Sequence, residues 1–522
     1  MFVDAIASTS DSDRRAANRR RPRECRALGQ RRPRQLRLPA SKLLMDESSS
    51  DLNYRIVYRR RVTTRVSHHQ IEGRAPTPPS PPMASMSVFR VAVLSRVATL
   101  TLMFAFDALV DDYDTSGALE PEGLRVPASF ACRRLEGVVT WDSVYFARVA
   151  SEGYEHEQAH AFFPLLPALM RLLAFGSRSR CALAASGLLV SNLAHVASAV
   201  TLERLGTLVL DDPAAARTAA TLFALNPASV FHSAAYTESL FACLSLAGCL
   251  ALALPRARPN LAALAFALAC AARSNGALNL AFLAHDFAFA RVGAAAWFGI
   301  RARREKPRRR TVGYETTPLT DRLAATVAFA ARVSVAVAPL LAAQALGYRT
   351  YCLGRFSDGS PIPHYADNPR PWCDRWRPFP NIYAFVQSEY WNVGFLRYYE
   401  PRQMPNFALA APALGASAAA ATRWVSAATS GGKKTKHPHP AAWMLEEKVA
   451  PYLVVWAVMA AAAALVMHVQ VATRFLSATP APYWFLAKEG KTSEATRRAT
   501  CAYFLAFGLL GTLMFPTFYP WT

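Results

Sequence analysis

The feature that most constrains this chain is a series of apolar runs that are each long enough to cross a lipid bilayer. The clearest of them occupy residues 88–110, 182–202 and 450–470. Only 18% of the 522 residues are charged, whereas soluble domains carry about 25%. A backbone that crosses lipid has to satisfy its own hydrogen bonds, so runs of this kind form helices. We therefore predict an all-α polytopic membrane protein, a bundle of roughly 8–12 transmembrane helices joined by loops.

Weaker apolar runs complete the predicted bundle. The segment Phe162–Phe175 is short and contains Pro164 and Pro167, so we expect it to be interfacial or re-entrant rather than spanning. The further predicted spans lie near 215–232, 236–254, 261–283, 285–300, 323–347, 407–425 and 499–517.

Basic residues in short loops indicate which end of the bundle faces the cytosol. Such loops occur at 255–258, 301–310 and 433–436. Placing them in the cytosol puts the long loops 111–160 and 348–404 on the opposite, lumenal side. The loops that carry most of the polar aromatic motifs are therefore predicted to face the lumen.

The course of the C-terminal region has two interpretations. If residues 450–470 rise to the lumen and 499–517 return, then Lys488, Lys491, Arg497 and Arg498 lie on the lumenal side, against the charge rule. If segment 475–487 also crosses, those four charges become cytosolic and the C terminus becomes lumenal. The sequence leaves both arrangements open.

The net charge of +23 is concentrated in a tail and in loops. Residues 1–86 contain 18 Lys and Arg but only 8 Asp and Glu, and they are rich in Ser and Pro. Such a segment cannot bury enough apolar surface to fold, so we predict a disordered basic cytosolic tail at 1–86 and a multispan domain at 87–522. The remaining positive charge follows membrane topology, and no nucleic-acid partner is predicted.

The polar stretch around Asp142 is the best candidate for a catalytic site. Asp142 follows Trp141 and precedes Tyr145, in a loop rich in aromatic residues. A carboxylate in such a setting can take a proton from a sugar hydroxyl, and the aromatic rings can pack against sugar faces. Alternatively, Asp142 is a solvated loop acid or a helix N-cap. Other residues nearby could serve as the base: Glu152, Glu155, His156 and His160.

Three charged residues in or beside apolar runs are candidate substrate ligands. Glu238 lies at a span junction, where it could orient a substrate hydroxyl or form a structural hydrogen bond. Arg273 interrupts an apolar span and needs an anionic partner, which could be a phosphate or an internal carboxylate. Arg474 follows a span and is placed to meet a lipid-linked phosphate, although a snorkelling role explains its position equally well.

Two further aromatic segments are candidates for contacts with a glycan. His160 and Phe163 lie in the continuation of the Asp142 loop. Trp391 and Asn392 belong to the motif at 389–395, which could close over a glycan or form an interfacial belt.

Several kinds of site are not indicated by the sequence. Asp112-Tyr113-Asp114 is a three-residue match to a nucleotide-sugar motif, but it follows a membrane span instead of a strand, and no P-loop is present. None of the nine cysteines is spaced for zinc, and we predict neither a metal nor another cofactor. A Cys352–Cys373 disulfide is possible if that loop faces an oxidising lumen. An enzyme that works on the lumenal side without a nucleotide-binding site would need an activated sugar that is already carried by a lipid.

The motifs resemble those of the GPI mannosyltransferase 2 family over residues 88 to 522. The resemblance is carried by Trp141-Asp142 with Phe162-Phe163-Pro164, and by Arg273-Ser274-Asn275-Gly276. The further matching blocks are Asn226-Pro227-Ala228, Tyr236-Thr237-Glu238-Ser239-Leu240-Phe241, Tyr390-Trp391-Asn392-Val393-Gly394-Phe395, Pro405-Asn406-Phe407, Thr473-Arg474-Phe475-Leu476, Tyr483-Trp484-Phe485 and Phe518-Tyr519-Pro520-Trp521-Thr522.

The resemblance implies a GT-C-type bundle in the endoplasmic reticulum membrane, with a lumenal active site. It implies α-1,6 transfer of mannose from dolichol phosphate mannose, a substrate and not a cofactor, to the mannosyl-glucosaminyl-phosphatidylinositol GPI precursor. Inversion at the sugar would then need a base, for which we predict Asp142, and a phosphate ligand, for which we predict Arg474. A small membrane partner subunit is possible. The alternatives are a lipid-donor mannosyltransferase with another acceptor and a non-catalytic lipid transporter or scramblase subunit.

Overall fold

The computed structural model describes residues 86–113, 132, 134–288, 319–354, 370–375, 381–430 and 439–521. The regular structure in these ranges is entirely helical, so the prediction of an all-α membrane bundle is confirmed. The tail up to residue 85 and the basic loops at 301–310 and 433–436 lie outside the described residues, as does most of the span predicted at 285–300.

Sixteen α-helices are present in the described ranges. Their bounds are α1 Val88–Leu109, α2 Asp142–Glu152, α3 Leu165–Leu173, α4 Arg180–Leu210, α5 Pro213–Ala224, α6 Glu238–Ala253, α7 Pro259–Ala272, α8 Leu280–Phe287, α9 Leu319–Cys352, α10 Trp372–Arg375, α11 Ile382–Trp391, α12 Met404–Ser430, α13 Ala450–Leu465, α14 Ala472–Leu476, α15 Pro480–Thr492 and α16 Glu494–Met514.

Four of the described helical segments are long and apolar enough to cross a membrane: α1, α4, α9 and the segment Glu447–Leu465 that contains α13. The predicted spans near 215–232 and 261–283 are not continuous helices. Helix α5 ends at Ala224, where the side chain of Asn226 donates a hydrogen bond to the Phe223 carbonyl, and α7 ends at Ala272 before Arg273. The Asn226 side chain satisfies a carbonyl at the end of α5, and the Arg273 side chain donates to Glu238, so each of these polar residues marks a corner within the bundle. The number of spans stays a prediction.

Helices α6 and α7 form an antiparallel hairpin that positions two of the predicted site residues. The connection at 254–258 is short, and Gly248 lets the ring of Phe266 pack directly against α6. Glu238 begins α6 and Arg273 follows α7. Because the two helices are antiparallel and similar in length, these residues lie side by side at the same end.

Two disulfides are present in the described residues. The Cys352–Cys373 pair, which the sequence allows, links α9 to α10 with a Cα–Cα distance of 5.5 Å. A second pair, Cys132–Cys181, is not predicted from the sequence, because two cysteines 49 residues apart have no characteristic spacing. This pair ties the beginning of α4 to the segment that leads to Asp142. We call this side of the bundle the Asp142 end.

The opposite end of α4 carries a cluster of charges. Asp212 caps the N terminus of α5 by accepting a hydrogen bond from the Ala215 amide, and it also contacts the amino groups of Lys488 and Lys491 at 2.9 Å. We call this side the Asp212 end.

The C-terminal residues return to the Asp142 end. The ring of Phe518 lies 6.2 Å from that of Trp141, and the Tyr113 amide donates to the Thr517 carbonyl. The sequence left two arrangements open for the C-terminal region. The structure has the one in which the segment around 475–487 runs from the Asp142 end to the Asp212 end.

Candidate active site

The backbone at Trp141 is strained directly before the predicted catalytic residue. Trp141 has φ 54° and ψ −122°, a combination that side chains with a Cβ atom rarely adopt. Conformations of this kind cost about 1–3 kcal/mol and cluster at functional sites. The strain places Asp142 at the first position of α2, where the positive end of the helix dipole favours a carboxylate. The Asp142 amide donates to the hydroxyl of Tyr236 at 3.0 Å.

The side chain of Asp142 belongs to a network of four charges from distant parts of the chain. Arg474 Nη2 lies 2.7 Å from Asp142 Oδ2, and Arg474 Nε lies 2.7 Å from Glu238 Oε1. Arg273 Nη1 donates to the same Glu238 oxygen at 2.5 Å. The structure thus brings together the predicted base and three predicted substrate ligands. One guanidinium bridges both carboxylates.

Solvent reaches the two carboxylates of this network to different degrees. The side chain of Glu238 is 1% exposed and that of Asp142 is 27% exposed, with both arginines between them at 18%. Breaking a buried ion pair leaves an uncompensated charge, so Glu238 is held by its two partners. Asp142 is the carboxylate that a substrate can reach.

Aromatic rings surround the guanidinium of Arg474. Its Cζ atom lies 5.0 Å from the ring centre of Phe231 and 5.2 Å from that of Tyr236. Cation–π contacts of this kind fix a guanidinium without consuming its donors. Phe231 and Tyr236 had no role assigned from the sequence. They lie shortly before Glu238 in the buried segment after α5, and this closeness in the sequence is what could have linked them to the site.

Two polar atoms in the site have no hydrogen-bond partner among the described residues. Glu238 Oε2 is an acceptor and Trp141 Nε1 is a donor, and neither atom is accessible to solvent. Leaving a buried polar atom unpaired costs about 1–3 kcal/mol, so such atoms are usually paired. Their presence beside Asp142 is typical of a site that is completed by a polar ligand.

An aromatic wall lies one helical turn beyond Asp142. Tyr145 stacks on Phe162 with a ring-centre distance of 4.4 Å. Trp391 stands edge-on to both rings, at 6.3 Å from Tyr145 and 5.9 Å from Phe162. Since residues three apart share one face of a helix, the wall adjoins the carboxylate.

The other predicted ligands lie around this wall and outside the charge network. His160 stacks on Tyr154 and meets Tyr351 edge-on, and its burial lowers the pKa to about 4, so the ring is neutral near pH 7. Phe163 packs edge-on against Tyr383. Asn392 ends α11 in the left-handed conformation and is exposed. Their contacts with substrate stay predictions.

The alternative bases named from the sequence do not reach the network. Glu155 pairs with Arg148 at 2.9 Å and Glu152 pairs with Arg178 at 3.6 Å, both in largely exposed contacts. His156 precedes the 3-10 turn at Glu157–Ala161. No cluster of three or more His, Cys, Asp or Glu suited to a metal ion occurs in the described ranges.

Comparison with known proteins identifies the family. The profile of the family described as Mannosyltransferase (PIG-V) matches residues 85–522. GPI alpha-1,6-mannosyltransferase 2 of Rattus norvegicus is 32% identical over 83% of this chain and 98% of its own length. The Homo sapiens protein of the same name is 31% identical with the same coverage, and GPI mannosyltransferase 2 of Chaetomium globosum is 31% identical over 83% of this chain and 96% of its own length.

Among solved structures, the apo crystal structure of the Archaeoglobus fulgidus oligosaccharyltransferase is similar at a TM-score of 0.38 and 14% identity, over 81% of this chain and 55% of that one. The assignment rests on the sequence matches alone. The family profile extends from residue 85 to residue 522 and so covers every part of the charge network and of the aromatic wall. This chain belongs to the PIG-V mannosyltransferase family.

Proposed function

We propose that this protein is an α-1,6-mannosyltransferase that moves mannose from dolichol phosphate mannose to the mannosyl-glucosaminyl-phosphatidylinositol precursor of GPI anchors. The names of its relatives support α-1,6 transfer of mannose in GPI synthesis, and the donor and the acceptor are parts of the proposal. The observation that carries the proposal is the single guanidinium of Arg474 between a reachable carboxylate, Asp142, and a buried one, Glu238. An inverting transfer from a phosphate-linked sugar requires a base for the acceptor hydroxyl and positive charge for the departing phosphate, and this network holds a candidate for each.

In the proposed reaction, the acceptor hydroxyl oxygen attacks the anomeric carbon of the donor mannose. The new C–O bond forms on the face opposite the phosphate, and the bond from the anomeric carbon to the phosphate oxygen breaks. Its electron pair leaves with dolichyl phosphate, and the acceptor proton passes to Asp142. A positioned carboxylate base contributes roughly 10²–10⁴-fold to such a step.

The two arginines supply positive charge for the departing phosphate. Guanidinium groups bind phosphate through paired charge-assisted hydrogen bonds. Arg273 and Arg474 share Glu238 Oε1, so their forks are held at adjacent positions. This arrangement supports a transfer that needs no metal ion, which stays part of the proposal.

Donor binding also determines when Asp142 can act as a base. In the free site, Arg474 Nη2 lies 2.7 Å from Asp142 Oδ2, so this oxygen is occupied and is not free to accept from an acceptor hydroxyl. A donor phosphate competes for the same guanidinium. Asp142 is released as Arg474 turns to the phosphate, so the base becomes active only when donor is present.

The aromatic wall and its neighbours offer contacts for the sugars. Trp391 and Phe163 contribute apolar surface, and His160 and Asn392 contribute polar groups at the edge of the wall.

We place the Asp142 end in the lumen of the endoplasmic reticulum. Both disulfides support this side, since disulfides persist in oxidising compartments. The lysines at the Asp212 end support a cytosolic position for that end.

The proposal is tested by giving labelled dolichol phosphate mannose to membranes that contain the full chain and identifying the labelled product. We expect one α-1,6-linked mannose on the mannosyl-glucosaminyl lipid. Label on a protein or on an N-glycan precursor would assign another acceptor. Absence of transfer by membranes in which the chain is inserted would overturn the proposal.

A further inference from the structure

A second buried carboxylate, Glu157, lies outside the charge network and has no part in the proposed chemistry. It is 4% exposed and belongs to the 3-10 turn that follows α2. Trp372 Nε1 donates to its Oε1 at 2.8 Å, and the hydroxyl of Tyr390 donates to its Oε2 at 2.9 Å. Arg370 Nε lies 3.7 Å from Oε1. Both oxygens of one carboxylate are therefore occupied by groups from the region of α10 and α11.

These contacts join segments that are far apart in the chain. Trp372 and Tyr390 are 215 and 233 residues from Glu157, respectively. The Cys352–Cys373 disulfide already ties α10 to the end of α9, and Ile382 packs against Gly347 of α9. Glu157 connects these three helices, α9, α10 and α11, to the loop beside the active site. Its hydrogen bonds add to the ring contacts that Tyr383 and Trp391 of α11 make with the same loop, at Phe163 and Phe162.

The residue after Tyr390 is Trp391, the edge of the aromatic wall. Its indole stands edge-on to Tyr145 and Phe162, and its carbonyl oxygen lies 2.6 Å from His468 Nε2. His468 precedes α14, which carries Arg474. Trp391 is therefore held in two ways. Its neighbour Tyr390 is bonded to Glu157, and its own carbonyl is bonded to His468, in the segment before Arg474.

We infer that Glu157 is a positioning residue that sets Trp391 against the acceptor sugar and so determines acceptor affinity. The inference rests on the proposed function. The two arginines define where the donor phosphate lies. The wall begins one turn beyond Asp142, on the side of the base, where the acceptor hydroxyl has to be. A displaced Trp391 therefore weakens acceptor binding and leaves the donor contacts in place.

The test compares Glu157→Leu with Glu157→Gln in the full chain, purified in detergent. Leucine fills the space but leaves Trp372 Nε1 and the Tyr390 hydroxyl without an acceptor. Glutamine can accept from Trp372 and donate to Tyr390, so it is the conservative rescue. We expect Glu157→Leu to raise the KM for a synthetic mannosyl-glucosaminyl-phosphatidylinositol about tenfold, with the KM for dolichol phosphate mannose unchanged. Glu157→Gln should stay within about threefold of the wild type.

Two comparisons separate positioning from a general structural role. Glu155→Gln, two residues away in an exposed pair with Arg148, should change neither KM. In a Trp391→Ala background, Glu157→Leu should have no further effect on acceptor KM, because the two changes act on the same contact. If Glu157→Leu does not accumulate, Tyr390→Phe removes one of the hydrogen bonds with little change in volume and serves in its place.

Hydrogen exchange of residues 382–391 provides a readout that does not depend on activity. Exchange should increase in Glu157→Leu and not in Glu155→Gln. An unchanged acceptor KM, an equal rise in donor KM, unchanged exchange, or a full effect in the Trp391→Ala background would each overturn the inference. Loss of transfer by the wild type would instead overturn the proposed function, and the exchange comparison would still decide whether Glu157 docks α11.

Discussion

Arg474 and Asp142, which are 332 residues apart in the chain, form an ion pair with 2.7 Å between Nη2 and Oδ2. The same guanidinium binds Glu238, which also binds Arg273. The four groups carry two positive and two negative charges, so the free site is balanced. A phosphate that enters this network has to displace one of the carboxylates, and Asp142 is the more exposed of the two. This relationship makes both members of the pair direct targets for mutation.

We predict that Asp142→Asn lowers mannose transfer by roughly 10²–10⁴-fold and leaves the protein inserted in the membrane. Asparagine keeps the size of the side chain and the Asp142 amide contact with Tyr236 but cannot accept a proton. The measurement is transfer from labelled dolichol phosphate mannose in microsomes, normalised to protein level. Glu155→Gln serves as the matched control and should retain activity. Activity of Asp142→Asn near that of the wild type would remove Asp142 from the mechanism.

We predict that Arg474→Lys lowers kcat/KM for the donor by about 10²-fold. A lysine carries one compact ammonium group, so it cannot contact Asp142 and Glu238 with a rigid fork or bind phosphate in the same way. The steady-state kinetics of the purified variant measure the effect. Arg423→Lys, in a pair with Glu489 outside the site, is the control and should behave as the wild type. A normal donor kcat/KM in Arg474→Lys would show that the phosphate binds elsewhere.

The sequence predicts which residues belong to the candidate site more completely than it predicts which of their side chains are in contact. The apolar runs predicted the helical bundle, and the family motifs pointed to Asp142, Glu238, Arg273 and Arg474. That these four side chains meet depends on how α2, the α6–α7 hairpin and α14 pack. Hydropathy averaged over about 20 residues changes little when one residue is an arginine. The sequence therefore predicts a continuous span at 261–283, whereas the structure has a corner at Arg273.

Other features had no local signal at all. Glu157 lies among similar polar residues in a loop, and only the packing of α10 and α11 separates it from its exposed neighbour Glu155. The Cys132–Cys181 pair links residues 49 apart and has no characteristic spacing. The strained backbone at Trp141 is stabilised by its surroundings, because a tryptophan would not adopt that conformation by itself.

The buried His160 predicts that stability falls in acid. Burial lowers the pKa of His160 to about 4, whereas a histidine in the unfolded chain titrates near 6.5. Between these values the unfolded chain binds more protons, so the contribution of neutral His160 is complete above pH 6.5 and is lost as the pH falls towards about 4. The thermal midpoint of the detergent-purified protein should therefore decrease from about pH 7 to about pH 5.

His160→Phe provides the comparison for this pH dependence. Phenylalanine retains an aromatic ring against Tyr154 but does not titrate. The decrease in thermal midpoint between the two pH values should be smaller in this variant than in the wild type. An equal decrease would assign the acid sensitivity to other groups.

The packing of the C-terminal region predicts its membrane sidedness. Lys491 contacts Asp212, and Phe518 contacts Trp141, so the two parts of this region lie at opposite ends of the bundle. If the Asp142 end is lumenal, a membrane-impermeant thiol reagent should label Lys491→Cys from the cytosolic face of sealed microsomes. It should label Tyr519→Cys only after the membrane is permeabilised. Both substitutions are made in a chain whose exposed Cys501 is replaced by Ser, and that parent without an added cysteine gives the background. Labelling of both positions from the same face would contradict the path of α15 and α16, and the reverse pattern would place Asp142 in the cytosol, away from the lumenal donor that the proposed mechanism requires.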